Sequence, residues 1–312
     1  MSDTVVSEAV RVFPRSHEAS VGRGTGAVES RARVLDLDVG YVENVQRSDA
    51  RADAGPQGYC SDFQICLPYR GIFVWHVEKD DVVGDPNQIV FVRAGEPYRM
   101  SSPSDEGYAE LIITPDLDIL AELAHPDGGG LFQHPLFSRR TLRAGPHVQA
   151  LRSRLIHRAI TGSLRDCLEA EEMTLAVLRV ALQQDVSRLR PITAATARLL
   201  RRTKEVLEAR LPERLRLTEI AQAVHVSPAY LTDLFTRTEG VSLHQYLTQL
   251  RLSRALLELP SASDLTALAL ELGFSSHSHF TFAFRRTFGC TPSAYRERTR
   301  RDIGLPLRRG RR

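Results

Sequence analysis

The chain has 312 residues, of which 42% are hydrophobic and 25% charged, with a net charge of +3 and a mean hydropathy of −0.22. That length allows two domains, and the composition is that of a soluble globular protein. It excludes a membrane-spanning chain, because no run of 18 or more apolar residues occurs. The opening segment MSDTVVSEAVRVFPRSHEAS lacks the basic start and apolar run of a signal peptide. Four cysteines (Cys60, Cys66, Cys167, Cys290) are too few and too scattered for a disulfide framework, which points to a reducing cytoplasm. The small net charge hides an asymmetry. Residues 191–312 carry 20 Lys and Arg against 11 Asp and Glu, whereas 1–190 carry 21 against 27. A basic C-terminal part beside an acidic N-terminal part suits nucleic-acid binding by one half only.

Residues 1–32 are polar and Gly/Ser-rich, and are expected to be flexible. From 33 to 114 the pattern is strand-like. Phe63, Ile65 and Leu67 alternate with Gln64 and Cys66, and Phe73, Trp75 and Val77 with Val74 and His76. Ile89 to Val92 is a short apolar run, and 108–113 alternates again. Turn chemistry at 68–71, 84–87, 95–97 and 103–107 separates the strands, so a β-sandwich or barrel is expected.

Helical spacing starts near Thr114, with Thr114 and Pro115 as an N-cap and first-turn pair. The glycines at 128–130 break the chain. After Pro146, the residues Val148, Leu151, Leu155 and Ala159 share one helical face. A longer helix is expected over 165–189. It carries Leu168, Leu175, Leu182 and Leu189 at heptad spacing, with Leu178 half a heptad inside. Those leucines read either as a seam between two subunits or as packing on the chain's own sheet. Pro191 marks the domain boundary.

The last third repeats itself. Leu217, Ile220, Ala221 and Val224 meet Leu265, Leu268, Ala269 and Leu272 at an offset of 48. Ser227, Leu231, Phe235, Gly240 and Tyr246 meet Ser276, Phe280, Phe284, Gly289 and Tyr295 at an offset of 49. Each copy has the form of a helix-turn-helix, which places its second helix in the DNA major groove. A helix over 194–211 precedes them. In the first copy 217–224 is a helix, His225-Val226 the turn, and Ser227 caps a second helix opened by Pro228. Leu231, Leu234 and Phe235 are its buried stripe, and Ala229, Thr232, Asp233 and Thr236 face outward. A connecting helix over 242–259, ~25 Å long, could set the two units about one DNA turn apart. In the second copy Asp264 caps 265–272, Gly273 turns with a positive φ, and Ser275 or Ser276 caps the next helix. Phe280, Ala283, Phe284 and Phe288 point inward. His277, Ser278, Thr281 and Phe282 are left near the groove, and Arg285 and Arg286 near phosphates.

At these residues the chain resembles the AraC/XylS family of bacterial transcription regulators. The resemblance covers about 196–299 and rests on LxxIAxxVxxSxxYLxxLF, GxSxxxYLxxxRLxxAxxxL and ALxLGFSSxSHFxxAFRRxFGxTPSxYR. It implies two helix-turn-helix units joined by a linker helix. It places base readers at Ala229, Thr232 and Asp233 and at His277, Ser278 and Phe282, with Ser227, Tyr230, Thr236, Arg237, Ser276, Thr281, Arg285 and Arg286 completing the DNA surface. Two positions depart from common family residues. Asp233 should repel phosphate but could accept from a cytosine amino group, and Phe282 replaces a common arginine and could contact a thymine methyl.

The region 33–190 resembles the family's effector and dimerisation domain, a cupin-like barrel with helices, through LPYRG, DPNQIVFVRAGEPYR and ELIITP. Tyr59, Tyr69, Arg70, Trp75, Arg93 and Tyr98 are the candidate ligand contacts. Leu168, Leu175, Leu178 and Leu182 are the candidate dimer contacts. A metalloenzyme needs clustered His and carboxylate ligands. The barrel region offers His76 with Glu78 and Glu110 only, and the rings of His277 and His279 diverge on a helix. Cys60 and Cys66, if on one strand, lie too far apart to bridge, and a turn between them would change that.

The resulting expectation is an α+β multidomain chain: a flexible 1–32, a cupin-like β-barrel with dimerisation helices over 33–190, an all-α domain with two helix-turn-helix motifs over 191–299, and a basic tail over 300–312. Its partners would be double-stranded DNA, RNA polymerase, a small effector and a second copy of itself, without cofactor, metal, catalysis or membrane. A constitutive regulator whose first domain only pairs or makes protein contacts is the alternative, with a cupin-like metalloenzyme more remote.

Overall fold

The computed structural model describes residues 29–48, 53–78, 80–103, 106–124, 140–161, 167–182 and 192–304. Among the described residues, ten strands occupy the N-terminal part: β1 Glu29–Leu37, β2 Gly40–Arg47, β3 Gly58–Tyr59, β4 Gln64–Gly71, β5 Phe73–Val77, β6 Asp80–Gly84, β7 Gln88–Val92, β8 Pro97–Ser101, β9 Tyr108–Pro115 and β10 Thr141–Arg143. They divide into a six-stranded sheet ordered β1-β2-β9-β4-β7-β10 and a four-stranded sheet ordered β3-β8-β5-β6. Hydrogen bonds between the described strands do not close these sheets into the expected barrel. The first strand starts at Glu29, so 29–32 are strand rather than a loose segment. Residues 1–28, the glycines at 128–130, the stretch 183–191 with Leu189 and Pro191, and 305–312 lie outside the described residues.

The six-stranded sheet is apolar on both faces. Ile65, Leu67, Ile89, Phe91, Leu111 and Ile113 face three helices, while Cys66, Val90, Val92, Tyr108 and Ile112 face the smaller sheet. Double burial explains why β7 reads as an unbroken apolar run. The covering helices are α1 Leu117–Ala124, α2 Pro146–Thr161 and α3 Cys167–Leu182. Val148, Leu151 and Leu155 form the buried face of α2, as their spacing predicts. Thr114 and Pro115 do not start α1. Pro115 still pairs with Gly40 in the ladder, and Asp116 caps the helix by accepting from the backbone N–H of Asp118 at 2.9 Å and Ile119 at 3.2 Å.

The heptad leucines need a correction as well. Leu178 and Leu182 are buried in this chain's own core, Leu175 packs against it half-buried, and Leu168 is 62% exposed. Two of the four expected dimer contacts are therefore already used inside the molecule, because core packing and a subunit seam demand the same helical spacing.

The described C-terminal residues form seven helices: α4 Ala194–Ala209, α5 Leu217–Ala223, α6 Pro228–Glu239, α7 Leu243–Glu258, α8 Leu265–Glu271, α9 His277–Phe288 and α10 Pro292–Asp302. Residues 300–302, expected in a tail, end α10. The helix α7 serves two cores in succession. Leu243, Tyr246, Leu247 and Leu250 pack with α4, α5 and α6, whereas Leu252, Ala255, Leu256 and Leu259 pack with α8, α9 and α10. Its 16 residues span about 24 Å.

Candidate nucleic-acid interface

The two repeat copies fold alike because their signals agree locally. Ser227 accepts from the N–H of Tyr230 at 3.2 Å, and Ser276 from that of His279 at 3.1 Å. These caps satisfy donors that the first helical turn leaves orphaned. Ser275 instead shares a hydrogen bond with Nδ1 of His279 at 3.1 Å. Gly240 and Gly289 end α6 and α9 in the left-handed region, at φ 72° and 75°. The turn before each second helix also contains a left-handed residue: Gly273 at φ 83° and, 48 positions earlier, His225 at φ 59°. At Gly273 a side chain is excluded twice over, since a Cβ would lie 2.6 Å from the Pro212 carbonyl oxygen.

The faces of α6 and α9 separate cleanly. Leu231 and Phe235 are buried and Leu234 half-buried, while Ala229, Tyr230, Thr232, Asp233, Thr236 and Arg237 are exposed. Phe280 and Phe284 are buried, while His277, Ser278, Phe282, Arg285 and Arg286 are exposed. Phe282 is 66% exposed, a large aromatic that the core does not use. Thr281 departs from this pattern: it is half-buried and its hydroxyl points inward without a partner. Thr232 Oγ1 donates back to the Pro228 carbonyl at 2.9 Å, and must rotate to offer its proton elsewhere. Asp233 pairs with Arg237 one turn on, at 2.6 Å, both exposed. An exposed pair of this kind is worth a few tenths of a kcal/mol, so a phosphate can take Arg237 from it.

The N-terminal part docks on α7 and leaves both exposed faces free. Tyr246, fully buried, donates its hydroxyl to Oδ2 of Asp85 at 2.6 Å, and Asn87 Nδ2 donates to the Tyr246 carbonyl at 3.1 Å. Burial pushes the carboxyl of Asp85 and the phenol of Tyr246 up from their ordinary values. The repeat partner Tyr295 donates to Ser153 Oγ at 3.2 Å. Arg152, buried on α2, bonds the carbonyls of Pro68 and Pro86 and donates to Ser253 Oγ at 2.6 Å. The same burial lowers its pKa to about 9. Sequence reasoning missed this seam. Its one signal was that both repeats carry a tyrosine at the same place, which reads as core.

The candidate ligand residues do not form one site. Trp75 stacks on Tyr98 at 4.7 Å between the sheets. Tyr69 faces the helices and donates to Asn44 at 2.7 Å, Arg93 pairs with Glu96 at 3.1 Å, and Tyr59 is exposed on the short β3. Arg70 lines a cavity with Tyr69. Of the possible metal ligands, His76 is bound to Asp81 at 2.7 Å and Ser101 at 2.9 Å rather than to Glu78 or Glu110. Among the described residues no group of three His, Cys, Asp or Glu could hold a metal ion. Cys60 and Cys66 are separated by a turn and share the inter-sheet core as free thiols, and burial pushes Cys60 up to about 11. A thiol held protonated in this way is a poor nucleophile.

Comparison with known proteins agrees with this geometry. The family described as Helix-turn-helix domain matches residues 220–298. The regulatory protein PocR of Salmonella typhimurium is 34% identical over 109 residues, which are 34% of this chain and 36% of that one. The transcriptional activator RhaR of Pectobacterium carotovorum is 28% identical over 177 residues, 53% of this chain and 60% of that one. The chain thus spans less than two thirds of the length of the relatives it matches. The structure of a transcriptional regulator with an AraC-type DNA-binding domain from Chromobacterium violaceum is 32% identical, covering 34% of this chain and 96% of that one, with a TM-score of 0.32. With two capped helix pairs on a shared α7 and this match over 220–298, the C-terminal part is an AraC-type helix-turn-helix domain, similar to those of AraC/XylS-family regulators.

Proposed function

We propose that the chain is a sequence-specific DNA-binding transcription regulator, an activator controlled by a small effector at its N-terminal part. The observation that carries this reading is the duplicated exposed face on α6 and α9, polar on both and basic on α9, capped alike and joined by one helix. Two helix-turn-helix units so joined suit successive major grooves on one side of the duplex. Thr232, Asp233 and Ala229 on α6, with His277, Ser278 and Phe282 on α9, are the proposed base readers. Arg237, Arg285 and Arg286 suit phosphates, with Ser227, Tyr230, Thr236 and Ser276 beside them. Thr281, its hydroxyl inward, is left out. RNA polymerase, a second copy of the chain and a cytoplasmic location belong to the proposal. Pairing through α3 would use exposed Leu168 and half-buried Leu175. No helix among the described residues is long and apolar enough to cross a membrane. A cupin-like character of the two-sheet region is proposed on its β-rich build. The constitutive alternative draws on the docked seam, where Asn87, Arg152 and Tyr246 bond across the two parts without a ligand.

Thr232→Ala and His277→Ala are expected to lower affinity for the preferred duplex by about 1–3 kcal/mol while affinity for unrelated duplexes hardly changes. A selection from random duplexes with each variant reads this directly. An equal loss on every sequence would remove both residues from base reading.

A further inference from the structure

A cavity of about 270 Å³ lies where the two parts meet, walled by Tyr69, Arg70 and Ile156 on one side and Glu208, Leu250 and Arg254 on the other. Its walls are mainly apolar. At about 30 Å³ per water it has room for a molecule of roughly nine non-hydrogen atoms. Four charges face it, two of each sign, since Glu258 also lines it. Arg254 is spent: it donates to Glu258 at 2.8 Å and lies 3.6 Å from Glu106. Arg70 and Glu208 are not. Neither forms an ion pair within 4.0 Å with a described residue, and Nε of Arg70 and Oε2 of Glu208 are buried without hydrogen-bond partners. Glu208 lies beside the segment of Arg70 and Gly71, across the cavity lining that it shares with Arg70.

A buried polar atom without a partner costs about 1–3 kcal/mol, more when charged. A ligand that supplies one positive and one negative group removes both costs and keeps the cavity neutral. A purely anionic or purely cationic ligand relieves one and leaves the other. Resting on the regulator reading above, we propose that this cavity is the effector site and binds a small zwitterion with an apolar body, of the α-amino-acid class, its carboxylate on Arg70 and its ammonium on Glu208. The apolar body lies against Ile156 and Leu250. Burial pushes the Glu208 carboxyl up to about 7, and an ammonium beside it restores the ionised form. Arg70 belongs to β4 and Glu208 to α4, so an occupant bridges the sensing part and the DNA-binding part.

The test is the Tm of the full chain with each of the twenty proteinogenic amino acids at millimolar concentration. At least one apolar amino acid is expected to raise Tm by about 3 °C or more, by binding the folded state only. Its decarboxylated amine and its deaminated acid are expected to bind at least about tenfold more weakly, as are Arg70→Met and Glu208→Gln. If a variant fails to fold, the amine and acid on the unaltered chain decide alone. No shift with any of the twenty, or equal shifts from amine or acid, overturns the proposal. Binding of the same sample to duplex DNA is measured alongside. DNA binding without an amino-acid response sinks the site and keeps the regulator, whereas no DNA binding sinks the regulator itself.

Discussion

Phe284→Ala is expected to cost about 3–5 kcal/mol and to unfold the second helix pair. Phe284 is fully buried and its ring meets three others, at 5.8 Å to Phe280, 4.8 Å to Phe288 and 5.6 Å to Tyr295. Alanine leaves a cavity that α8, α9 and α10 cannot all close upon, because α9 is fixed at both ends by Ser276 and Gly289. With total stability of about 5–15 kcal/mol typical of a domain, that loss is large. Phe235, its counterpart in the first pair, is equally buried and packs edge-on to Tyr246 at 5.3 Å. The same change there should cost as much and also loosen the docked seam. Urea unfolding followed by circular dichroism measures both. A cost below about 1 kcal/mol at Phe284 would mean that the second pair is not held by this cluster.

The second large effect is a pH dependence set by Glu110. It lies fully enclosed between the sheets, its Oε2 without a partner, and burial pushes its carboxyl from the ordinary 4.5 up to about 8. Between those two values the folded chain holds a proton that the unfolded chain has lost. Stability therefore falls as pH rises from about 4.5 to about 8, on the order of 3–5 kcal/mol from this group alone. Glu110→Gln keeps the shape without the titration. It should flatten the stability curve over that range and be the more stable protein at pH 8. Paired unfolding curves at acid and weakly alkaline pH settle the matter. Parallel curves for the two proteins would show that Glu110 ionises freely.

Much of the DNA-binding half was legible because its determinants are local. Ser227, Pro228, Asp264 and Ser276 are each read from a few neighbours. The paired left-handed turn was half legible: glycine announces it at 273, whereas histidine at 225 does not. In the other half, alternation marked the strands and not their partners. Pairings such as β2 with β9 join residues far apart in sequence, and a strand buried on both faces carries no periodicity. The heptad on α3 was legible as spacing, but Leu178 and Leu182 satisfy that spacing inside their own core. The docked seam was least legible. Asp85, Asn87, Arg152 and Ser253 are ordinary polar residues until the fold brings them together.

The central claim is that the exposed faces of α6 and α9 bind DNA through charge and shape. Equilibrium binding of the full chain to duplex DNA across a salt series tests it most directly. Log affinity should fall linearly with log salt, by about 0.9 per phosphate neutralised, and Arg285→Ala with Arg286→Ala should shallow the slope by about 2. A flat salt response, or a slope untouched by the double variant, would contradict the account.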